Sequence, residues 1–400
     1  MFENVSVAPP DAILGLTEAF RADTNSDKVN LVAGVYKDNT GRTPVFAAVK
    51  EAERRLLDDE TSKSYLPIDG LAEYGSLVQR LLFGDHAIIG EGRAVTIQAP
   101  GGTGALRVAG DLLKAVSGSP KIWWSNPTWP NHPQIFDAVG LPSGVYPYFD
   151  SATSSLDFDG MMSALRTVGT GEIVLLHGRC HNPSGVDPNP EQWEEIADVI
   201  AERGAVPLLD FAYQGFGTGI EEDAVALHAL VKKVPELMIC SSFSKNFGLY
   251  KERVGALTVV TESQASAKAV LSQIKRVVRA NYSNPPSHGA AVVTGVLNDP
   301  DLRRLWLNEL SGMRERIQDV RRRLALGLDA RDVRLSPNGN DFITAQNGMF
   351  SFSRLNKDQV QALRERFSVY IVASGRMNVA GLTSANIERV CDAIAAVTGS

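Results

Sequence analysis

Lys245 follows an apolar run at 237–241, has Ser242 and Ser244 before it, and has Arg253 eight residues beyond. A lysine at the end of a buried strand loses hydration, and lost hydration disfavours its charged form. A neutral amine is a nucleophile toward a carbonyl carbon. Two hydroxyls and a planar guanidinium are donors suited to a phosphate. A reactive lysine beside a phosphate cup points to pyridoxal phosphate held as a Schiff base. The ordinary alternative is a solvated loop lysine, which the rest of the sequence has to displace.

Other residues fit the same chemistry. Pro100-Gly-Gly-Thr-Gly104 follows a strand-like run and opens a helical one. Bare backbone N–H groups at a helix start attract anions, which makes Gly102 and Thr103 candidates for the phosphate. The loop is no dinucleotide fingerprint, because Arg107 occupies the third glycine position counted from Gly102, and no Walker-type lysine loop occurs. Asp210 ends another apolar run, where a carboxylate can keep a pyridinium nitrogen protonated, and Tyr213 stands three residues on. A helix-capping aspartate is the plain alternative. Trp129 sits in a proline-pinned loop, where an indole can stack on a flat cofactor or simply fill the core. Asn182 precedes Pro183 and is held extended, a platform for its amide. Arg376 lies between apolar strands, a costly place for an arginine without an anion, and Arg279 is a second such residue. Two arginines fit a substrate with a carboxylate at each end; surface ion pairs are the alternative.

Two rival readings fail on spacing. His177, Cys180 and His181 are broken by a glycine and followed by Asn-Pro, so no metal is expected. Ser242-Phe-Ser-Lys245 matches the Ser-x-x-Lys of acylating enzymes, but the companion Ser-Asp-Asn and Lys-Thr-Gly elements are missing.

These residues need a scaffold. Strand-like runs are expected at 94–98, 121–124, 172–177, 205–210, 237–242 and 254–260, with helices at 104–116, 132–139 and 190–203 between them. Strand–helix alternation predicts a mainly parallel sheet covered by helices, with ligand residues at the carboxyl ends of its strands. From Asp299-Pro300 a long helix is expected over 301–327. Beyond it, strands are expected at 349–352, 370–373 and 377–379, and helices at 357–367 and 383–397. A short helix at 11–22 and a strand including Gly34 and Tyr36 are expected near the N-terminus, packing against this last part. The division is 1–45 (arm and part of the small domain), 46–298 (large domain) and 299–400 (small domain), as 400 residues suit more than one core.

The composition is globular, 44% hydrophobic and 22% charged, and a net charge of −6 argues against nucleic acid or an anionic membrane as partner. No apolar run reaches the ~20 residues of a membrane span. No signal-peptide pattern opens the chain. Cys180, Cys240 and Cys391 show no paired spacing, as expected of reduced cysteines in a cytoplasmic protein.

With these residues assembled, the chain closely resembles the class I aminotransferases, specifically the bacterial aspartate and aromatic (tyrosine) group. Asn126-Pro-Thr-Trp-Pro-Asn-His132, Cys180-His-Asn-Pro183, Asp210-Phe-Ala-Tyr-Gln-Gly-Phe216, Ser244-Lys-Asn-Phe-Gly-Leu-Tyr250, Asn281-Tyr-Ser-Asn-Pro-Pro286 and Ala373-Ser-Gly-Arg-Met-Asn-Val-Ala-Gly381 carry the likeness. The resemblance implies an α/β, fold type I pyridoxal-phosphate-dependent transferase, with a large domain on a mainly parallel, seven-stranded sheet and a small α/β domain. It implies ping-pong amino transfer between an L-amino acid, aspartate or aromatic, and 2-oxoglutarate. Alternatives are an aromatic- or tryptophan-preferring enzyme of a specialised pathway, or a silent binding protein of the same fold. Lys245 would bond the cofactor and move the proton, Asp210 would pair with the ring nitrogen, and His132 would stand behind it. Tyr213 and Asn182 would contact the ring oxygen, and Trp129 would stack on the ring. Gly102, Thr103, Ser242, Ser244 and Arg253 would hold the phosphate, joined by Tyr65 from a neighbouring subunit. Arg376 would bind the α-carboxylate with Asn182 and the backbone at Gly34, while Arg279 from the other subunit would meet a distal carboxylate. The active unit would then be a homodimer. Val32 and Ala33 depart from the family's usual Gly-Ile or Ser-Ile beside the substrate side chain, and Arg179 and Ser184 replace the more usual Cys and Thr.

Overall fold

A computed structural model describes residues 2–7 and 14–399. Its centre is a seven-stranded sheet built from β1 (Ala94–Pro100), β2 (Ile122–Asn126), β3 (Ser143–Pro147), β4 (Ile173–His177), β5 (Val206–Phe211), β6 (Leu237–Ser242) and β7 (Val254–Val260). The strand order is β1-β7-β6-β5-β4-β2-β3. β7 runs antiparallel to both neighbours, and the remaining pairs are parallel. Every residue of β4, β6 and β7 is buried, which is why these strands read as largely apolar runs. β3 escaped the sequence reading because it is an edge strand with Tyr146 as its one buried residue. The expected strand at 121–124 lies one to two residues further on, at Ile122–Asn126.

Helices cover both faces. The helix after β1 begins at Gly101, three residues before the expected start, and runs to Ser117. Gly101 has φ +75°, and a Cβ there would lie 2.3 Å from Arg253 Nη2, so only glycine lets the guanidinium lie across the turn. Helix Pro190–Arg203 starts as its Asn189-Pro190 signal demands, with Asn189 and Gln192 forming a capping box.

The long helix Pro300–Asp329 is capped by Asp299, whose Oδ1 accepts from Asp301 N and Leu302 N. Beyond it, Phe350–Phe352 pairs antiparallel with Arg376–Asn378, and Val29–Asn30 pairs parallel with Val369–Tyr370. The strand expected at 370–373 stops at Tyr370, because Gly375 N donates to Val372 O and turns the chain toward Arg376. The last helix starts at Ile387 rather than 383, since Asn386 Oδ1 accepts from Thr383 N and closes a turn first. Of the helix expected at 11–22, Leu14–Ala22 is present, and 11–13 lie outside the described residues. Among the described residues, no helix is long and apolar enough to cross a membrane.

Trp306, fully buried on the long helix, ties it to the sheet. Its ring stacks on Phe247 with centroids 4.5 Å apart, and its Nε1 donates to Asn246 O at 2.6 Å, one residue past Lys245. Trp306→Phe keeps the stack but strands a buried carbonyl, so denaturant unfolding should show a loss of about 1–3 kcal/mol. An unchanged midpoint would mean the indole N–H contributes nothing.

Candidate active site

β4, β5 and β6 end side by side, and register makes His177 and Asp210 direct neighbours. Above these ends lies a cavity of about 410 Å³. Gly34, Gly102, Thr103, Trp129, Asn182, Asp210, Tyr213, Ser242, Ser244, Lys245 and Arg253, all singled out from sequence, line it.

At its floor, His132 Nε2 lies 2.9 Å from Asp210 Oδ2, and Thr128 Oγ1 holds the other ring nitrogen at 2.8 Å. Burial pushes the Asp210 carboxyl up. The hydrogen bond and charge of His132, with smaller contributions from His177 and Lys245, outweigh it and hold the group below the usual carboxylate range. Burial pushes His177 down to about 3, and neither of its ring nitrogens has a partner. The ligand atoms of His132, His177 and Asp210 lie within 4.8 Å of one another. Sequence spacing linked His177 to Cys180 and His181 instead. His181 stacks on Tyr148 at 3.8 Å and bonds Ser125 and Ser184, so the hydroxyl of Ser184 anchors that ring.

Lys245 Nζ stands 4.7 Å from the Tyr213 ring centroid. Desolvation drives the amine down to about 8, with Asp210 opposing and Arg253 assisting. Burial pushes the Tyr213 phenol up, so it remains a donor. Trp129 meets His132 edge-on at 5.3 Å.

The opposite end is a donor cup. Ser242 Oγ donates to Ser244 Oγ at 3.2 Å, and Arg253 Nη1 donates to Ser244 Oγ at 3.3 Å and Tyr250 O at 3.0 Å. Gly102 and Thr103 form the first turn of the adjoining helix, which carries no acidic residue there. Arg253 has a left-handed φ of 54°, a strained backbone at the site itself. Tyr250, which sequence reasoning passed over, also lines the cavity and accepts from Tyr36 N at 3.0 Å. Its signal was its place in the motif that contains Lys245.

Arg376 is 3% exposed, and burial lowers it to about 10. Nη2 donates to Val32 O at 2.7 Å and Nη1 to Asn182 Oδ1 at 3.3 Å, the guanidinium lies 4.4 Å over Phe350, and buried Nε has no partner. Among the described residues no acidic side chain pairs with Arg376 or Arg253. Val32 departs from the usual residues of the loop beside the substrate side chain. Its side chain packs with Tyr370 and Val372, and it meets Arg376 through its carbonyl. Two expected residues lie outside the cavity of the chain: Tyr65 is 92% exposed, and Arg279 is exposed and bonds Ser283. An amine near neutrality, an ionised carboxylate and a donor cup in one cavity fit the aldehyde, ring nitrogen and phosphate of pyridoxal phosphate.

Comparison with known proteins gives the same direction. The family model "Aminotransferase class I and II" matches residues 26–394. The chain is 51% identical to an aspartate aminotransferase of Escherichia coli K12 over 398 residues, covering 99% of this chain and all of that one. It superposes with TM-score 0.96 and 48% identity on an aromatic-amino-acid aminotransferase from Burkholderia pseudomallei covalently bound to pyridoxal phosphate, covering 99% of each. A psychrophilic aromatic amino acid aminotransferase from Psychrobacter sp. B6, cocrystallised with aspartic acid, matches at TM-score 0.96 and 42% identity over the whole of both chains.

Burying Lys245 has a signature in stability. With a folded value of about 8 against an ordinary 10.5, the unfolded chain binds more protons between those pH values. Stability therefore carries a penalty below pH 8 that is relieved as pH rises toward 10.5. In the cofactor-free protein, Lys245→Met should be more stable than wild type at pH 7, by up to about 3 kcal/mol. Unfolding at pH 7 and 9.5 should show that gap narrowing; a gap that widens would contradict a buried, depressed lysine.

Proposed function

The chain belongs to the class I and II aminotransferases, and we propose that it exchanges amino groups between glutamate and aspartate or an aromatic amino acid. It is a pyridoxal-phosphate-dependent aminotransferase. The bound cofactor supplies a carbon that takes up the amino group and a ring that draws electron density from the substrate's α-carbon. In our reading, Lys245 Nζ, lowered by burial to about 8 so that its neutral form is within easy reach, anchors the cofactor and then carries the proton to and from the α-carbon. Asp210, kept ionised by His132, holds the proton on the ring nitrogen. Tyr213 donates to the ring oxygen beside Asn182, and Trp129 covers the ring face. Gly102, Thr103, Ser242, Ser244 and Arg253 bind the phosphate. Arg376 takes the substrate's α-carboxylate, assisted by Asn182 and the backbone at Gly34. The observation that carries this assignment is the convergence of Lys245, Asp210 and the Gly102–Thr103, Ser242, Ser244 and Arg253 cup on one cavity.

The exposure of Tyr65 and Arg279 supports a homodimer in which each chain completes the cavity of a second copy. The pairing of Val29–Asn30 with Val369–Tyr370 supports assigning 1–45 and 299–400 to one smaller unit and 46–298 to the cofactor-binding one. Buried, unpaired Cys180, Cys240 and Cys391 support a cytoplasmic setting. The names of the similar proteins favour both aspartate and aromatic substrates, and we take 2-oxoglutarate as the acceptor in either case.

Purified protein given pyridoxal phosphate should show a pH-dependent visible band. Lys245→Ala should lose that band and lower turnover by at least the ~10²–10⁴-fold typical of acid–base assistance; near-wild-type turnover would refute the assignment. Arg279→Ala should cost aspartate and glutamate roughly 2–5 kcal/mol in kcat/KM and phenylalanine far less. Equal losses would make Arg279 structural and remove the distal-carboxylate reading.

A further inference from the structure

Arg179 stands outside the cavity lining, yet it joins two segments that enter the cavity. Its Nε lies 3.3 Å from Asp223 Oδ1 and 3.6 Å from Asp187 Oδ2, and its Nη2 donates to Thr218 Oγ1 at 3.3 Å. The arginine side chain is 16% exposed, and the carboxylates are 3% and 0% exposed.

Each carboxylate organises one segment. Asp223 accepts from Gly215 N at 2.8 Å, Gly217 N at 2.9 Å and Thr218 N at 2.8 Å, fixing the turn that follows Tyr213. Asp187 accepts from Cys180 N at 3.1 Å, His181 N at 3.0 Å and Asn347 Nδ2 at 3.2 Å, fixing the loop that presents Asn182. A Cβ on Gly217 would fall 2.4 Å from both Arg179 Nε and Asp223 Oδ1, so the turn lies flat against the ion pair.

No neighbouring cation replaces Arg179. Arg321 gives its guanidinium to the carbonyls of Ile343, Asn347, Gly348 and Phe350. Burial keeps the Cys180 thiol and the Tyr148 hydroxyl neutral, and Tyr148 already donates to Val186 O. Without Arg179, two buried carboxylates would keep their N–H donors and, for Asp187, the more distant charge of Arg321, but would lose the one cation between them, and the segments they hold would shift or take up a proton.

We propose that Arg179 is a positioning residue of this chain, locking the loop that bears Asn182 to the turn after Tyr213 and so fixing both side chains at the cavity. The inference rests on the reading of Tyr213 as donor to the cofactor's ring oxygen and of Asn182 as support for Arg376.

The test compares holoenzymes of wild type, Tyr213→Phe, Arg179→Met and Arg179→Lys by the pH midpoint of the visible band, by KM and by melting temperature. A donor to the ring oxygen stabilises the deprotonated chromophore, so Tyr213→Phe should raise the midpoint. Arg179→Met should raise it too, by about half a pH unit, with KM for the amino acid up about threefold through Asn182 and Arg376. Arg179→Lys, keeping the charge but losing the Nη2 bond to Thr218, should recover part of both.

If Tyr213→Phe moves the midpoint while Arg179→Met lowers only the melting temperature, Arg179 merely stabilises the fold and the inference falls. If Tyr213→Phe moves nothing, the reading of Tyr213 fails, and KM of Arg179→Met decides the matter through Asn182 alone. Should Arg179→Met be insoluble, Asp223→Asn frees the same turn and must raise the midpoint; an unchanged midpoint overturns the proposal.

Discussion

The site depends on keeping a carboxylate charged where burial opposes charge. Asp210 is 6% exposed, an environment that by itself favours the protonated acid. The hydrogen bond and charge of His132, aided by His177 and Lys245, reverse the balance, and Thr128 orients that imidazole in turn. With Asp210 ionised, a nearby amine faces an attractive charge, yet desolvation still brings Lys245 near neutrality. The helices and strands around the cavity exist, in this sense, to fix the distance between those two groups. β5 supplies one, the segment after β6 supplies the other, and the parallel register between the strands sets their spacing.

A second balance operates at the mouth. Arg376 is buried without an acidic partner, and main-chain and amide oxygens from Val32 and Asn182 solvate it. Neutral dipoles satisfy part of the guanidinium and leave its charge uncancelled. An anionic ligand therefore meets a prepared cation rather than having to displace a carboxylate. The same economy appears at Arg253, which spends its bonds on Ser244 Oγ and a carbonyl.

Much of this was legible in the sequence, for a physical reason. Lys245, Asp210 and the Gly102–Thr103 turn each terminate an apolar strand, and strand ends in such sheets converge on one edge. Edge strand β3 was not legible, because half-exposed residues carry no apolar run. His177 was readable as a histidine but not as the neighbour of Asp210, since that adjacency arises from register between strands 33 residues apart. The effect of Val32 was not legible because a loop residue near a pocket can face it with either backbone or side chain, and here the core cluster behind it takes the side chain. Arg179 was visible as an oddity, while its two carboxylates are brought to it only by folding.

The contact between Arg376 Nη2 and Val32 O joins residues separated by 344 positions, and the short parallel pairing of Val29–Asn30 with Val369–Tyr370 spans a similar interval. Closing a loop of that length is entropically slower than closing the strand-to-strand connections of the central sheet. On a growing polypeptide, the donor cup and Asp210 can therefore be complete while Arg376 has not yet been made. On the proposed roles, the order of synthesis places the cofactor pocket first and the substrate clasp last.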